Sequence, residues 1–105
     1  MSGAPSITVT SQMIAKPGSE DAVAALLARL GAEAVKAEAG CLAYQVLRSA
    51  HAAGEFLVIE RYADESALAD HSNTAHVKAT IPELMECLES PPVLALYHDS
   101  GPSPS

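Results

Sequence analysis

Glu55-Phe56-Leu57-Val58-Ile59-Glu60-Arg61-Tyr62 is the stretch on which the fold turns. In an extended chain Phe56 and Val58 point to one side and Leu57 and Ile59 to the other, so this strand is apolar on both faces. An antiparallel strand with one wet face alternates apolar with polar residues. This one does not, and both of its faces need cover. Glu60 stands out within it, because a carboxylate among apolar neighbours is either paired or held protonated. Arg48 and Arg61 are the expected partners in a salt bridge.

The pattern divides readily outward from there. Cys41–Ser49 reads as a preceding strand, with Leu42, Tyr44, Val46 and Arg48 on one face and Ala43, Gln45 and Leu47 on the other. His51-Ala-Ala-Gly54 turns it back into residues 55–62 as a hairpin. Upstream, Ile7–Ala15 is a strand with Ile7, Val9 and Met13 on one face, ended by Lys16-Pro17-Gly18. Ser19 stands at an N-cap position, with Glu20 and Asp21 in the first turn where the helix dipole favours them. Val23, Leu26, Leu27, Leu30 and Ala34 recur at helical spacing. That helix is expected to run to about Ala39, with Gly40 as its C-terminal cap.

Downstream, Asp64 caps a helical segment Glu65–His71, which Ser72-Asn73-Thr74 interrupts. A further helical stretch carries Val77, Ile81, Leu84, Met85 and Leu88 on one face. Pro82 predicts a kink or a fresh start there, with Thr80 and Glu83 spaced as a capping box. Ser90-Pro91-Pro92 stops the helix, and Val93–His98 is the last strand. The order is β-α-β-β-α-β, the ferredoxin-like α+β arrangement. Its helices cover one face of the sheet. The apolar share of the other calls for a second sheet, which a homodimer packed sheet to sheet supplies.

A chain of 105 residues is the size of one domain. The pattern occupies residues 7–98, and the Gly-, Pro- and Ser-rich ends, 1–6 and 99–105, are expected to be disordered. The formal net charge is −7 and the six basic residues are scattered, which argues against nucleic acid and anionic membrane as partners. No apolar window reaches a membrane-spanning length, and the N-terminus lacks the layout of a secretory signal. The expected compartment is the cytoplasm. Cys41 and Cys87 form no C-x-x-C or zinc pattern and read as small buried hydrophobes.

The polar residues gather at His71-Ser-Asn-Thr-Ala-His76. Two histidines ligating one metal from a continuous helix want a spacing of three or four. These are five apart, and no carboxylate completes a triad nearby in sequence, so no metal site is expected. Singly, each imidazole reads as a helix-ending or surface residue. Together with Asn73 at the interruption, they gain weight as pocket-lining groups, and a neutral imidazole is the natural general base near neutrality. Tyr44 and Tyr62 read as core rings of the hairpin, whose hydroxyls would orient an aromatic substrate if they face a pocket. There is no Gly-rich phosphate loop and no Gly-x-Ser-x-Gly elbow.

Taken in order, Pro17-Gly18, Glu38-Ala-Gly40-Cys41, Tyr44, Glu60-Arg-Tyr62, Ser66-Ala-Leu68 and His71-x-x-Thr74-x-His76 resemble the antibiotic biosynthesis monooxygenase family, which includes small quinol monooxygenases and polyketide anthrone oxygenases. The likeness spans residues 7–98. It implies a dimeric α+β barrel with a pocket between helices and sheet. It also implies oxygenation of electron-rich aromatics by O2 with neither metal nor flavin. The deprotonated substrate reduces O2, and the protein supplies a base, an apolar enclosure and orientation. By that resemblance His71 or His76 assists deprotonation, Asn73 and Tyr44 position the phenolate or the developing peroxide, and Glu60 and Arg48 tune them beside Tyr62. Two departures are plain. There is no Trp where anthrone-oxygenase and haem-degrading relatives use one, and Ala75 and Val77 replace the usual Pro and aromatic flanking the second histidine. Haem degradation is therefore disfavoured. Relatives that isomerise a phosphorylated sugar derivative want basic residues at the phosphate, of which this chain has few. A dimeric binder without catalysis is the third reading.

Overall fold

A computed structural model describes residues 5–100. It contains β1 (Ile7–Ile14), α1 (Glu20–Ala37), β2 (Cys41–Arg48), β3 (Glu55–Tyr62), α2 (Glu65–Ser72), α3 (Ala75–Glu86) and β4 (Val93–Tyr97). The strands form one antiparallel sheet in the order β2-β3-β1-β4. This is the ferredoxin-like arrangement, with its second helix divided in two at Asn73-Thr74. No helix among the described residues is long and apolar enough to cross a membrane.

The strand register decides which side of β3 meets the helices. Ile7 pairs with Tyr62, Val9 with Glu60, Ser11 with Val58 and Met13 with Phe56. All eight are buried, so this face lies under the helices. Leu57, Ile59 and Arg61 fall on the opposite, open face, where they are only half-buried. Val23, Leu26 and Leu27 of α1 and Leu84 of α3 close over Met13, Phe56 and Val58 as the main core. A second cluster, Ile7, Val9, Ala34, Cys41 and Tyr62, lies toward the other end of the same face.

Several local features differ from expectation, each for a physical reason. A β-bulge between Cys41 and Ala43 shifts the register of β2, so that Cys41 pairs with Tyr62 and Tyr44 with Glu60. Leu42 is thereby turned out of the core and Cys41 takes its place. Helix α1 ends at Ala37, two residues early, and Glu38 leaves it in an extended conformation (φ −111°, ψ 108°). Gly40 does not cap the helix; its carbonyl accepts from the Ala63 amide at 2.9 Å.

Pro82 does not break α3, which continues through it to Glu86, and Thr80 is buried instead of capping. Val77, Thr80 and Leu84 form an unbroken buried stripe across the proline, and their packing offsets the one helical hydrogen bond that Pro82 cannot donate. Asp64 caps α2 as expected, its carboxylate accepting from the Ala67 amide at 2.8 Å. Ser19 occupies the N-cap of α1 without a side-chain bond. Within the end segments, Arg61 donates to Ser6 and to Asp99, and His98 Nδ1 lies 2.9 Å from the Ser6 carbonyl. The remainder of the expected tails, 1–4 and 101–105, lies outside the described residues.

Strand β4 lies at the edge of the sheet beside β1. Val93, Leu94, Leu96 and Tyr97 are 64, 62, 56 and 55% exposed.

Candidate functional site

Three helix ends converge over the Tyr62 end of β3. The chain leaving α1 supplies Glu38, the last turn of α2 supplies His71, and the first turn of α3 supplies His76. His71 Nδ1 lies 2.8 Å from Oε1 of Glu38, and His76 Nε2 lies 2.8 Å from its Oε2. One carboxylate thus spans two imidazoles whose ring centres are 6.3 Å apart.

Five-residue spacing keeps two histidines off a common face only along a continuous helix, and here the chain breaks between Ser72 and Ala75, at the interruption expected from Ser72-Asn73-Thr74. The missing carboxylate comes from Glu38, 33 residues before His71 in sequence. Ligand atoms of Glu38, His71 and His76 all lie within 4.8 Å of one another.

Behind His71 stands the strand. Its Nε2 is 3.6 Å from Oε1 of Glu60, and the Tyr62 hydroxyl donates to that same oxygen at 2.6 Å. Burial pushes the Glu60 carboxyl up, partly opposed by the Tyr62 hydrogen bond and the His71 charge. Burial, then the hydrogen bond to Glu60, raises the Tyr62 phenol far above its ordinary range. Burial and the Glu60 charge do the same for Tyr44. The rings of Tyr62 and Tyr44 lie 5.2 and 6.4 Å from that of His71. His71 is therefore a buried imidazole between two carboxylates and two neutral phenols.

Of the expected site residues, the structure unites His71, His76, Tyr44, Glu60 and Tyr62. It separates three others from the expected roles. Asn73 is exposed and its amide donates to the Ala69 carbonyl, ending α2. Arg48 lies at the far end of β2, where it bonds the Ala53 carbonyl and Asp21 and stacks on Phe56. Arg61 is on the open face. Neither arginine pairs with Glu60, and this corrects the salt bridge expected there. Sequence reading missed Glu38 as a site residue. Its one signal was its place in the Glu38-Ala-Gly40-Cys41 motif.

A cavity of about 460 Å³ opens beside Glu38, between Gly40, Ala63 and Ala67, with Asp64 and Asp70 on its wall. A second of about 460 Å³ lies at the opposite end of the sheet, lined by Met13, Leu47, Arg48, Phe56 and Val93 among others. Neither cavity is lined by the imidazoles themselves, but the first has on its wall Glu38, which bonds both of them, and the second has no residue of the cluster.

Fold and site together define a small ferredoxin-like α+β protein with a buried histidine between helices and sheet. The sequence model of the antibiotic biosynthesis monooxygenase family matches residues 6–83, and the chain belongs to that family. Among solved structures it is similar to Rv0793 from Mycobacterium tuberculosis, with 26% identity over 95% of this chain and 99% of that one and a TM-score of 0.84. PA3566 from Pseudomonas aeruginosa is 27% identical over 96% of this chain and all of its own, with a TM-score of 0.87. A Caulobacter crescentus CB15 protein, itself named only as a candidate antibiotic biosynthesis monooxygenase, is 26% identical over 93 and 92% of the two chains, with a TM-score of 0.87.

Proposed function

We propose that this protein is a monooxygenase that uses O2 and no cofactor to oxidise a quinol- or anthrone-type aromatic. The observation that carries this is His71, buried, oriented by Glu38 on one nitrogen and facing Glu60 across the other. An imidazole held this way removes a phenolic or benzylic proton from a substrate lodged beside the partly exposed Tyr44. The resulting anion gives one electron to O2. The radical pair combines as a peroxide at carbon, and loss of water leaves a carbonyl. One oxygen atom ends in the product and the other in water, and the electrons come from the substrate alone. Glu38 fixes the ring orientation, Tyr44 supplies an aromatic wall with a polar tip, and the buried Tyr62 holds Glu60 behind the imidazole.

The acidic wall of the Glu38 cavity favours a neutral substrate and weighs against a phosphorylated one. The same proposal includes a homodimer packed sheet to sheet. Leu57, Ile59, Val93 and Tyr97 supply an apolar open face that no element among the described residues covers, which supports it. The test is oxygen consumption by chelator-treated protein across a panel of hydroquinones and anthrones. Uptake that survives chelation and falls in His71→Ala is the expected result. No uptake across the panel by an intact dimer would remove the oxygenase reading and leave a non-catalytic binder.

A further inference from the structure

We infer that Glu38, His71 and His76 form a binding site for a divalent transition ion of the Zn2+ or Co2+ type. Two imidazoles and one carboxylate are a donor set that such ions favour, and three protein ligands leave a coordination position open. The three side chains come from three separate segments and are largely buried, so no single helix surface explains their meeting.

The surroundings give a second, independent observation. With Nδ1 of His71 on the ion, its Nε2 carries the proton and points at Glu60, 3.6 Å away, which the Tyr62 hydroxyl anchors in turn. With Nε2 of His76 on the ion, its Nδ1 faces Glu33 at 3.8 Å. Each histidine thus has a carboxylate near the nitrogen that the ion leaves free, just beyond hydrogen-bond distance. Each is placed to close on that nitrogen when it carries the proton, which is how carboxylates orient imidazole ligands in metal sites. Access is also provided for. The cavity beside Glu38 carries Asp64 and Asp70, which draw cations toward it.

This site goes beyond the oxygenase proposal and does not depend on it. Where both hold, the ion takes the lone pair of the base, and the loaded protein is the less active form.

The test is titration of the chelator-treated full chain with Co2+, followed by displacement with Zn2+. The expected result is one ion per chain, visible ligand-field bands, and paramagnetic broadening of the His71 and His76 ring resonances with those of His51 and His98 unchanged. Glu38→Gln and His76→Ala should weaken binding about 100-fold or more, and Glu60→Gln about 10-fold. His51→Ala should leave it unchanged. Absence of ligand-field bands at micromolar protein, or broadening confined to His51 and His98, would overturn the site. The resonance measurement uses the unaltered protein, so a variant that fails to fold leaves it intact. Oxygen uptake is recorded separately: metal bound without uptake anywhere in the panel would remove the oxygenase proposal alone.

Discussion

Tyr62 is fully buried and its hydroxyl donates to Oε1 of Glu60. Tyr62→Phe keeps the ring and strands that oxygen, which should cost about 1–3 kcal/mol in urea unfolding. Glu60 itself carries a pH signature. Its folded carboxyl titrates above the ordinary 4.5, so between that value and its folded pKa the native state holds a proton that the unfolded chain has released. Stability from this group is full below 4.5 and is lost as pH rises through the folded pKa. Glu60→Gln should therefore gain on the wild type as pH rises from the acid side, in unfolding midpoints taken across that range. A constant difference would contradict the shift. That Glu60 is special was legible from its place among Phe56, Val58 and Ile59. Its partners were not, although alternation already sends Arg61 to the other face. Arg48 pairs with Phe56, four positions along β3 from Glu60. Glu38 was illegible as a site residue because its side-chain contacts lie 33 and 38 residues downstream.

At the scale of elements, α1 and β2 meet through Gly31. A Cβ added there would come within 2.6 Å of Cδ1 of Tyr44, so the helix lies closely on that ring. Gly31→Ala improves helix propensity by about 1 kcal/mol. Overpacking of about 1–3 kcal/mol should nonetheless win. The expected outcome is a lower thermal midpoint and a Tyr44 ring displaced from His71, read as reduced oxygen uptake. An unchanged or raised midpoint would show that Tyr44 moves freely. Helix and strand periods exposed every element here, and Ser72-Asn73-Thr74 exposed the break between α2 and α3. The bulge at Leu42 and the early end of α1 were hidden, because each is set by how the sheet edge meets the helix and not by local propensity. Those two hidden details aim Cys41 into the core and Glu38 onto the histidines. The site was therefore less legible than the fold that carries it.

For the whole molecule, the sheet has one covered face and one open face, and the edge strand β4 is largely exposed. If the open faces of two chains pack together, Ile59→Asp puts a charge in the interface while leaving the helix-covered core untouched. Light scattering should then show the mass fall from twice 10.8 kDa to 10.8 kDa. A wild type that already scatters as a monomer at micromolar concentration would refute the dimer. The apolar character of both faces of β3 was legible from eight residues, whereas the choice of inward face came only from the register with β1. A monooxygenase places one atom of O2 in its product and the other in water. Chelator-treated protein, given a reactive quinol or anthrone under isotopically labelled O2, should yield a product with one labelled oxygen atom and release the other as water, and His71→Ala should slow this about 100-fold or more. Product oxygen drawn from solvent water, or label incorporated equally fast without His71, would contradict the account.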